Sequence, residues 1–371
     1  MRVLVTGGAG FIGSHLVDAL VRDGHQVRVL DNLEPQVHEG RKPDYLNAQA
    51  EYRWGDVRDR EAVREALDAV DVVFHEAAVV GVGQSMYQIE KYASANVMGT
   101  AVLLDVIVNE RLPLKKLLVA SSMSIYGEGQ YRCGRCGPVF PALREEAQLQ
   151  QHAWEMACPG CRQPIVAEGA SERKPLAPTS VYAVSKRDQE ELCLSVGRSY
   201  RIPTVALRYF NVYGTRQALS NPYTGVCAIF SARIKNRNAP FIFEDGGQSR
   251  DFVHVRDIVR ANVMAMNDSR ADYEVFNVGT GRATSIVDIA KLLIQLYEAS
   301  VQPDVTQKFR AGDIRHCYAD ISRLRQRLGF EPSVKLEDGL RELVEWGRET
   351  AATDRVEQAA KELETRGLTQ G

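Results

Sequence analysis

The stretch Thr6-Gly-Gly-Ala-Gly-Phe-Ile-Gly13 constrains the fold of this chain more than any other. It follows a short apolar run, Met1-Arg-Val-Leu-Val5, that reads as a buried parallel strand, and it opens a helix. Gly7, Gly10 and Gly13 stand at a Gly-x-x-Gly-x-x-Gly spacing. Missing side chains there permit a tight turn, close approach of a pyrophosphate and close packing of the helix on the strand. The phosphates then meet the helix N-terminus, with Phe11 and Ile12 among the contacts. A plain strand-to-helix turn uses glycine too, so context decides. The second strand, Gln26 to Leu30, ends in Asp31, 18 positions after Gly13, where a carboxylate suits the ribose 2′-hydroxyl of NAD. Asn32 follows in place of an arginine that could hold a 2′-phosphate, which favours NAD over NADP.

The pattern repeats downstream. Tyr52 to Trp54 with Gly55-Asp56-Val57 reads as a third strand end, where Asp56 either reaches the adenine amino group or caps a helix over Arg58 to Leu67. Val72-Val-Phe-His-Glu-Ala-Ala78 is an apolar strand running into small residues, Ala77 among them, that let backbone approach a cofactor. His75 reads as a packed core histidine. A helix over 91–109, with Asn96 and Gly99 near its start, precedes a strand over 116–120. Strands alternating with helices imply an α/β fold, a Rossmann-type doubly wound parallel sheet.

With 371 residues, 44% apolar and 25% charged, the chain is long enough for two domains. Its charge balance, 46 minus 48 or −2, and the lack of a long basic run give no footprint for nucleic acid or an anionic membrane. Small molecules are the expected ligands. No apolar run approaches the roughly 20 residues of a membrane helix, and the chain starts on a strand rather than a signal peptide. A cytoplasmic location is expected.

Tyr182-Ala-Val-Ser-Lys186 supplies the chemistry. Four residues apart on a helix, Tyr182 and Lys186 share a face. A phenol with a pKa of about 10 is a poor base near neutrality, but a neighbouring cation stabilises the phenolate. Tyr182 then becomes a base for a sugar or alcohol hydroxyl. Taken together and in this order, Gly7/Gly10/Gly13, Asp31, Ser122, Tyr182 and Lys186 resemble the extended short-chain dehydrogenase/reductase family, and within it the nucleotide-sugar epimerases, over residues 1–127 and 175 to about 349.

The resemblance implies roles for further residues. Ser122 would hydrogen-bond the sugar hydroxyl beside Tyr182. Phe210-Asn-Val-Tyr-Gly214 would carry the chain into a smaller substrate domain, mainly 211–349, with Asn211 on the sugar diphosphate and Arg250 and Arg315 clamping it. A forked guanidinium suits phosphate oxygens. Residues 1–127 and 175–210 would form the NAD-binding domain, segments near 253–281 would return to it, and the two domains would interdigitate. From 350 to 371 the chain is polar, a frayed helix or flexible tail. The helices over 91–109 and 180–198 resemble the pair that forms a four-helix homodimer interface, with Leu192, Leu194 and Val196 as apolar surface.

Family membership does not settle the reaction. Dehydratases of this kind carry an Asp-Glu pair directly after the serine, whereas this chain has Met123 and Ser124. Eliminating water needs that acid and base, so a 4-epimerase is the better reading. The full-length pattern resembles the dTDP-L-rhamnose 4-epimerases, with UDP-glucose/galactose and their N-acetyl forms as alternatives. A rival of another class is a non-catalytic binding protein on a dinucleotide fold, against which the retained Ser122, Tyr182 and Lys186 speak.

Two cysteine pairs lie outside this pattern. Cys133-Gly-Arg-Cys136 and Cys158-Pro-Gly-Cys161 stand 21 residues apart, inside an insertion over 128–174 that separates Ser122 from Tyr182. Such pairs can be reduced thiols or disulfides, but their spacing suits a closed, structural zinc ribbon with four cysteine ligands. The insertion carries six Arg/Lys and six Glu, without the positive balance of a nucleic-acid binder. A small ribbon that buttresses the substrate pocket, with Trp154 in its core, is expected.

Overall fold

The computed structural model describes residues 1–310 and 312–370. Its centre is a parallel sheet of seven strands: Arg2–Thr6, Gln26–Asp31, Glu51–Trp54, Val72–His75, Lys116–Ser122, Thr204–Tyr209 and Val275–Val278. Numbered along the chain, they lie in the order 3-2-1-4-5-6-7. Strand order reverses between the first and the fourth, which opens a crevice above their C-terminal ends. Val3, Leu4 and Val5 have no exposed surface, because helices cover both faces of the sheet.

Helices Phe11–Arg22 and Val255–Asn267 pack on one face, where Leu16, Leu20, Ile258 and Ala265 share a core with Val5 and Phe74. Helices Arg60–Ala66, Gly99–Asn109 and Val181–Tyr200 cover the other through Val63, Leu103, Ile107 and Cys193. Asp59, not Asp56, caps Arg60–Ala66, accepting from the amides of Glu61 and Ala62. Helix Gly99–Asn109 extends a π-turn, Ala93–Met98. The whole segment Ile89–Asn109 has 21 residues and the apolarity of a membrane span, yet Leu103, Leu104, Val106 and Ile107 are buried in the core of the sheet.

A second core unites Tyr213, Phe230, Ile242, Phe252, Ile289, Leu293 and Leu343. It alternates along the chain with the first: Val253 to Val278 return to the sheet, as do Cys317 to Phe330, while residues between and after them pack in the second lobe.

Three expectations fail against this packing. Trp154 does not sit in a core of the ribbon beside the cysteines; it packs on Leu149 and edge-on against Phe309, with ring centres 6.4 Å apart, and so docks the insertion on the second lobe. The C-terminal segment is not a flexible tail. Helix Val356–Thr365 buries Ala359 and Leu363, and Thr369–Gln370 pairs antiparallel with Phe309–Arg310. Ala359 and Leu363, four residues apart, form one apolar stripe that the surrounding charge obscured. Finally, Leu194 is buried, and Leu192 and Val196 pack against the same core as Cys193, so they offer little outward surface. Among the described residues, Val184, Ile89, Met98 and Tyr200 are the exposed large apolar side chains on these helices, at 44%, 57%, 56% and 59%.

Candidate active site

A cavity of about 300 Å³ lies over the C-terminal ends of the strands, at the reversal of strand order. One end is built from the glycine turn. Gly7 has φ +70°, and a Cβ on it would come within 2.8 Å of the Ala77 backbone. A Cβ on Gly13 would come within 2.3 Å of the Gly7 carbonyl. Gly10 stands at the N-cap of helix Phe11–Arg22 with no side-chain cap and no acidic residue in the first turn. The helix N-terminus therefore presents free amides to an anion. Phe11, Ile12, Asn32, Asp56, Val57 and Ala77 line the same cavity.

Asp31 is held at the cavity wall by amides. Its Oδ2 accepts from Ala9 at 3.0 Å and its Oδ1 from Leu33 at 2.8 Å. Asn32 donates to Asp56 at 2.9 Å, and Arg58 holds the Asp56 carboxyl down to about 2. These residues fit a dinucleotide: a cradle with no room for side chains, an uncapped helix end, and a fixed carboxylate one strand away.

The other end holds Ser122, Tyr182 and Lys186. Ser180 caps the helix that carries the last two, accepting from the Ala183 amide at 3.1 Å. Tyr182 meets Tyr92 edge-on at 6.4 Å. Burial raises its pKa, and a hydrogen bond with Ser122 opposes that. Ser122 also accepts from the amide of Ser124 at 3.1 Å and from its hydroxyl at 2.9 Å, which fixes the Ser122 oxygen. Lys186 donates to Gln189 at 2.8 Å, and Gln189 donates to Thr100 at 2.9 Å. His75 stands behind this chain, within hydrogen-bond reach of Thr100 and Thr6, both at 2.8 Å. Burial keeps it neutral, with its pKa lowered to about 3. It braces the site from the core.

Sequence reasoning missed Glu76. It lines the cavity at the Tyr182 end and accepts from the Tyr209 hydroxyl at 2.8 Å, which in turn accepts from Asn262 at 2.7 Å. Burial pushes its carboxyl up to about 7, and burial likewise pulls Lys186 down to about 8, with Glu76 the foremost influence opposing that fall. The signal was present: a charge at the end of an apolar, fully buried strand.

Asn96, Asn211, Arg250 and Arg315 do not line this cavity. Asn96 stands behind the wall, buried, clasping the backbone of Val79 at 2.8 and 3.0 Å and donating to Ser185. It shapes the wall rather than touching the cavity. Asn211 lies between Phe210 and Val212, which do line it, and its buried Oδ1 has no donor among the described residues. Arg315 is corrected outright as a free diphosphate clamp. Its guanidinium is 2% exposed and bonded to Glu155, Glu244 and Asp245 at 2.5 to 3.1 Å, so its charge is already neutralised. Arg250 differs. It donates only to the carbonyls of Ser249, Ile314 and Arg315 among the described residues, and neutral carbonyls leave its charge uncompensated.

Arg315 belongs to the seat of the insertion. Glu128 accepts from the amides of Arg315 at 2.7 Å and His316 at 3.0 Å, and Arg144 makes a two-pronged pair with Glu244 at 2.8 Å. Beyond this seat, strand Gln130–Cys133 pairs antiparallel with Gly137–Val139 and Ile165–Glu168. At its tip the sulfurs of Cys133, Cys136, Cys158 and Cys161 all lie within 4.8 Å of one another, and those of Cys133 and Cys161 are 3.5 Å apart. A disulfide would need about 2.05 Å, whereas zinc–sulfur bonds of about 2.3 Å set tetrahedral edges of about 3.8 Å. The amides of Cys136 and Arg135 hold the Cys133 thiol down to about 6, favouring the thiolate.

Known proteins agree with this architecture. The profile of the NAD dependent epimerase/dehydratase family matches residues 3–147 and 153–279. The dTDP-L-rhamnose 4-epimerase of Burkholderia thailandensis is 36% identical over 348 residues, 93% of this chain and 94% of that protein. A putative UDP-glucose 4-epimerase of Methanocaldococcus jannaschii is 33% identical over 347 residues, 93% and 97% of the two chains. Among solved structures, the UDP-glucose 4-epimerase of Thermotoga maritima with UDP-glucose superposes with a TM-score of 0.77 at 33% identity, over 94% and 99% of the chains. The UDP-glucuronic acid 4-epimerase of Bacillus cereus, in complex with UDP-glucuronic acid and NAD, gives 0.78 at 28% identity over 94% and 99%. Fold and site together define a dinucleotide-dependent enzyme of sugar chemistry. The chain belongs to the NAD dependent epimerase/dehydratase family.

Proposed function

We propose that this enzyme is an NAD-dependent nucleotide-sugar 4-epimerase that interconverts dTDP-L-rhamnose and dTDP-6-deoxy-L-talose. The observation that carries epimerisation over elimination is the wall after Ser122: Met123 is buried, the Ser124 hydroxyl is engaged by Ser122, and no carboxylate stands at the two positions directly after the serine. NAD held in this cradle would supply a reversible hydride acceptor for C4 of the sugar. The protein does the rest. Tyr182 takes the proton of the 4-hydroxyl, Lys186 stabilises the phenolate, and Ser122 orients the sugar oxygen. Gly7, Gly10 and Gly13 receive the pyrophosphate and Asp31 the ribose. Arg250, with an uncompensated charge, is assigned to the sugar diphosphate, and so is Asn211, whose side-chain NH2 can donate to a phosphate oxygen.

The relative at 36% identity supports the rhamnose substrate. Purified protein given dTDP-L-rhamnose, UDP-glucose, UDP-galactose and UDP-N-acetylglucosamine is expected to convert the first fastest. Turnover of UDP-sugars alone would remove the dTDP assignment and leave the 4-epimerase.

The four cysteines are assigned a structural zinc, since four thiolates close the shell and leave no position for water. Such thiolates need a reducing compartment, which supports the cytoplasm. A homodimer is proposed through Ile89, Met98 and Val184, apolar and exposed on neighbouring helices. Light scattering at micromolar concentration is expected to give twice the chain mass, and Val184→Glu to shift it toward the monomer. A monomer mass for the unaltered protein would overturn the assignment.

A further inference from the structure

Lys186 is a buried ammonium whose one hydrogen bond among the described residues goes to a neutral amide, that of Gln189. Burying a cation without a counter-charge is costly, so one is expected nearby.

On its own helix, Glu190 is committed elsewhere: Arg208 pairs with it at 2.5 and 3.0 Å, and Ser121 donates to it at 2.6 Å. Burial pushes the Cys193 thiol up to about 12, so it carries no charge. Tyr182 is the base itself. From the strand Val72–His75, His75 is neutral. The helix Gly99–Asn109 contributes only the Thr100 hydroxyl, and strand Lys116–Ser122 only the hydroxyls of Ser121 and Ser122. Strand Thr204–Tyr209 brings Arg208, already paired, and the phenol of Tyr209.

Glu76 remains. One of its oxygens accepts from Tyr209, and no protein donor is found for the other among the described residues. The residue faces the cavity that Lys186 also lines. We propose that Glu76 is the counter-charge of Lys186: across the catalytic end of the cavity it keeps the ammonium protonated, which makes it a positioning residue for the Tyr182 base. Tyr209 and Asn262 hold its carboxylate in place from the far side. The inference rests on Tyr182 and Lys186 acting as the base pair, but its test reads Lys186 directly.

The test is the pH dependence of carbamylation of Lys186 by cyanate in cofactor-free protein, located by peptide mass spectrometry, because only the neutral amine reacts. The unaltered protein is expected to show a midpoint of about 8. Glu76→Gln keeps the shape and removes the charge, and it is expected to lower the midpoint by about one pH unit, roughly a tenfold change in proton affinity. The alkaline limb of kcat should move with it. A shift smaller than about threefold in that affinity overturns the proposal. Should Glu76→Gln fail to fold, Tyr209→Phe carries the test: losing the phenol donor raises the Glu76 pKa, so the Lys186 midpoint is expected to fall, and a constant or higher midpoint overturns the proposal. If the labelling shifts as expected but Tyr182→Phe still turns over, the counter-charge stands and the base assignment falls.

Discussion

Tyr182→Phe is expected to lower kcat by about 10²- to 10⁴-fold while leaving NAD bound, since it removes the acid–base group and no part of the dinucleotide cradle. The ring keeps its packing against Tyr92, so the fold has no reason to yield. Both burial and the Ser122 hydrogen bond act on the Tyr182 hydroxyl, in opposite directions. Replacing Ser122 by alanine therefore leaves a phenol that is harder to ionise, and the two losses should not add. Steady-state turnover with dTDP-L-rhamnose, beside a titration of NAD binding, checks this. Turnover within about threefold of the unaltered enzyme would remove Tyr182 from the chemistry.

Removing zinc is expected to have the largest effect on structure. A structural zinc contributes on the order of 10 kcal/mol to folding its own module, and the strands that the assigned zinc would staple are only four, three and four residues long. Cys133→Ser should thus leave residues 130–168 unfolded by hydrogen exchange. The damage should spread: the insertion supplies Arg144, buried against Glu244 of the second lobe, and the more exposed Glu155 to Arg315, while its Glu128 accepts from the Arg315 amide. Stripping partners from buried charges costs about 3–5 kcal/mol. KM for the nucleotide sugar should rise, with NAD affinity unchanged. Metal analysis of protein prepared without chelator is expected to give one zinc per chain; less than about half an equivalent would refute the site.

Local patterns and distant contacts were not equally legible. The glycine turn, Asp31 and the Tyr182–Lys186 spacing are set by backbone geometry within a turn or a strand, so the sequence displays them directly. Val3 to Val5 and Thr204 to Tyr209 read as strands because both faces are buried and every position is apolar or tightly packed. Arg315 was misread for the opposite reason. Its partners Glu155, Asp245 and Glu244 lie 160, 70 and 71 positions away, and nothing local distinguishes an arginine neutralised by such groups from one left free for phosphate. Trp154 shows the same limit: an aromatic within an insertion looks like that module's core until Phe309 of the other lobe is seen against it. Val356 to Thr365 escaped because little is needed to dock it: two small apolar contacts, and Glu362, which accepts from Tyr87 at 2.9 Å and Tyr223 at 2.8 Å.

The alternation of the two cores along the chain bears on how such an enzyme can change its substrate. Residues 253–278 and 317–330 lie in the core of the sheet, yet they separate the parts of the chain that build the second lobe. No contiguous piece of the gene encodes that lobe alone, so a crossover that transplants it also carries 253–278 and 317–330 into the other relative's sheet, whose core has to accept them. Point changes within the lobe, or an insertion such as 128–174, can alter the substrate side while leaving both cores undivided.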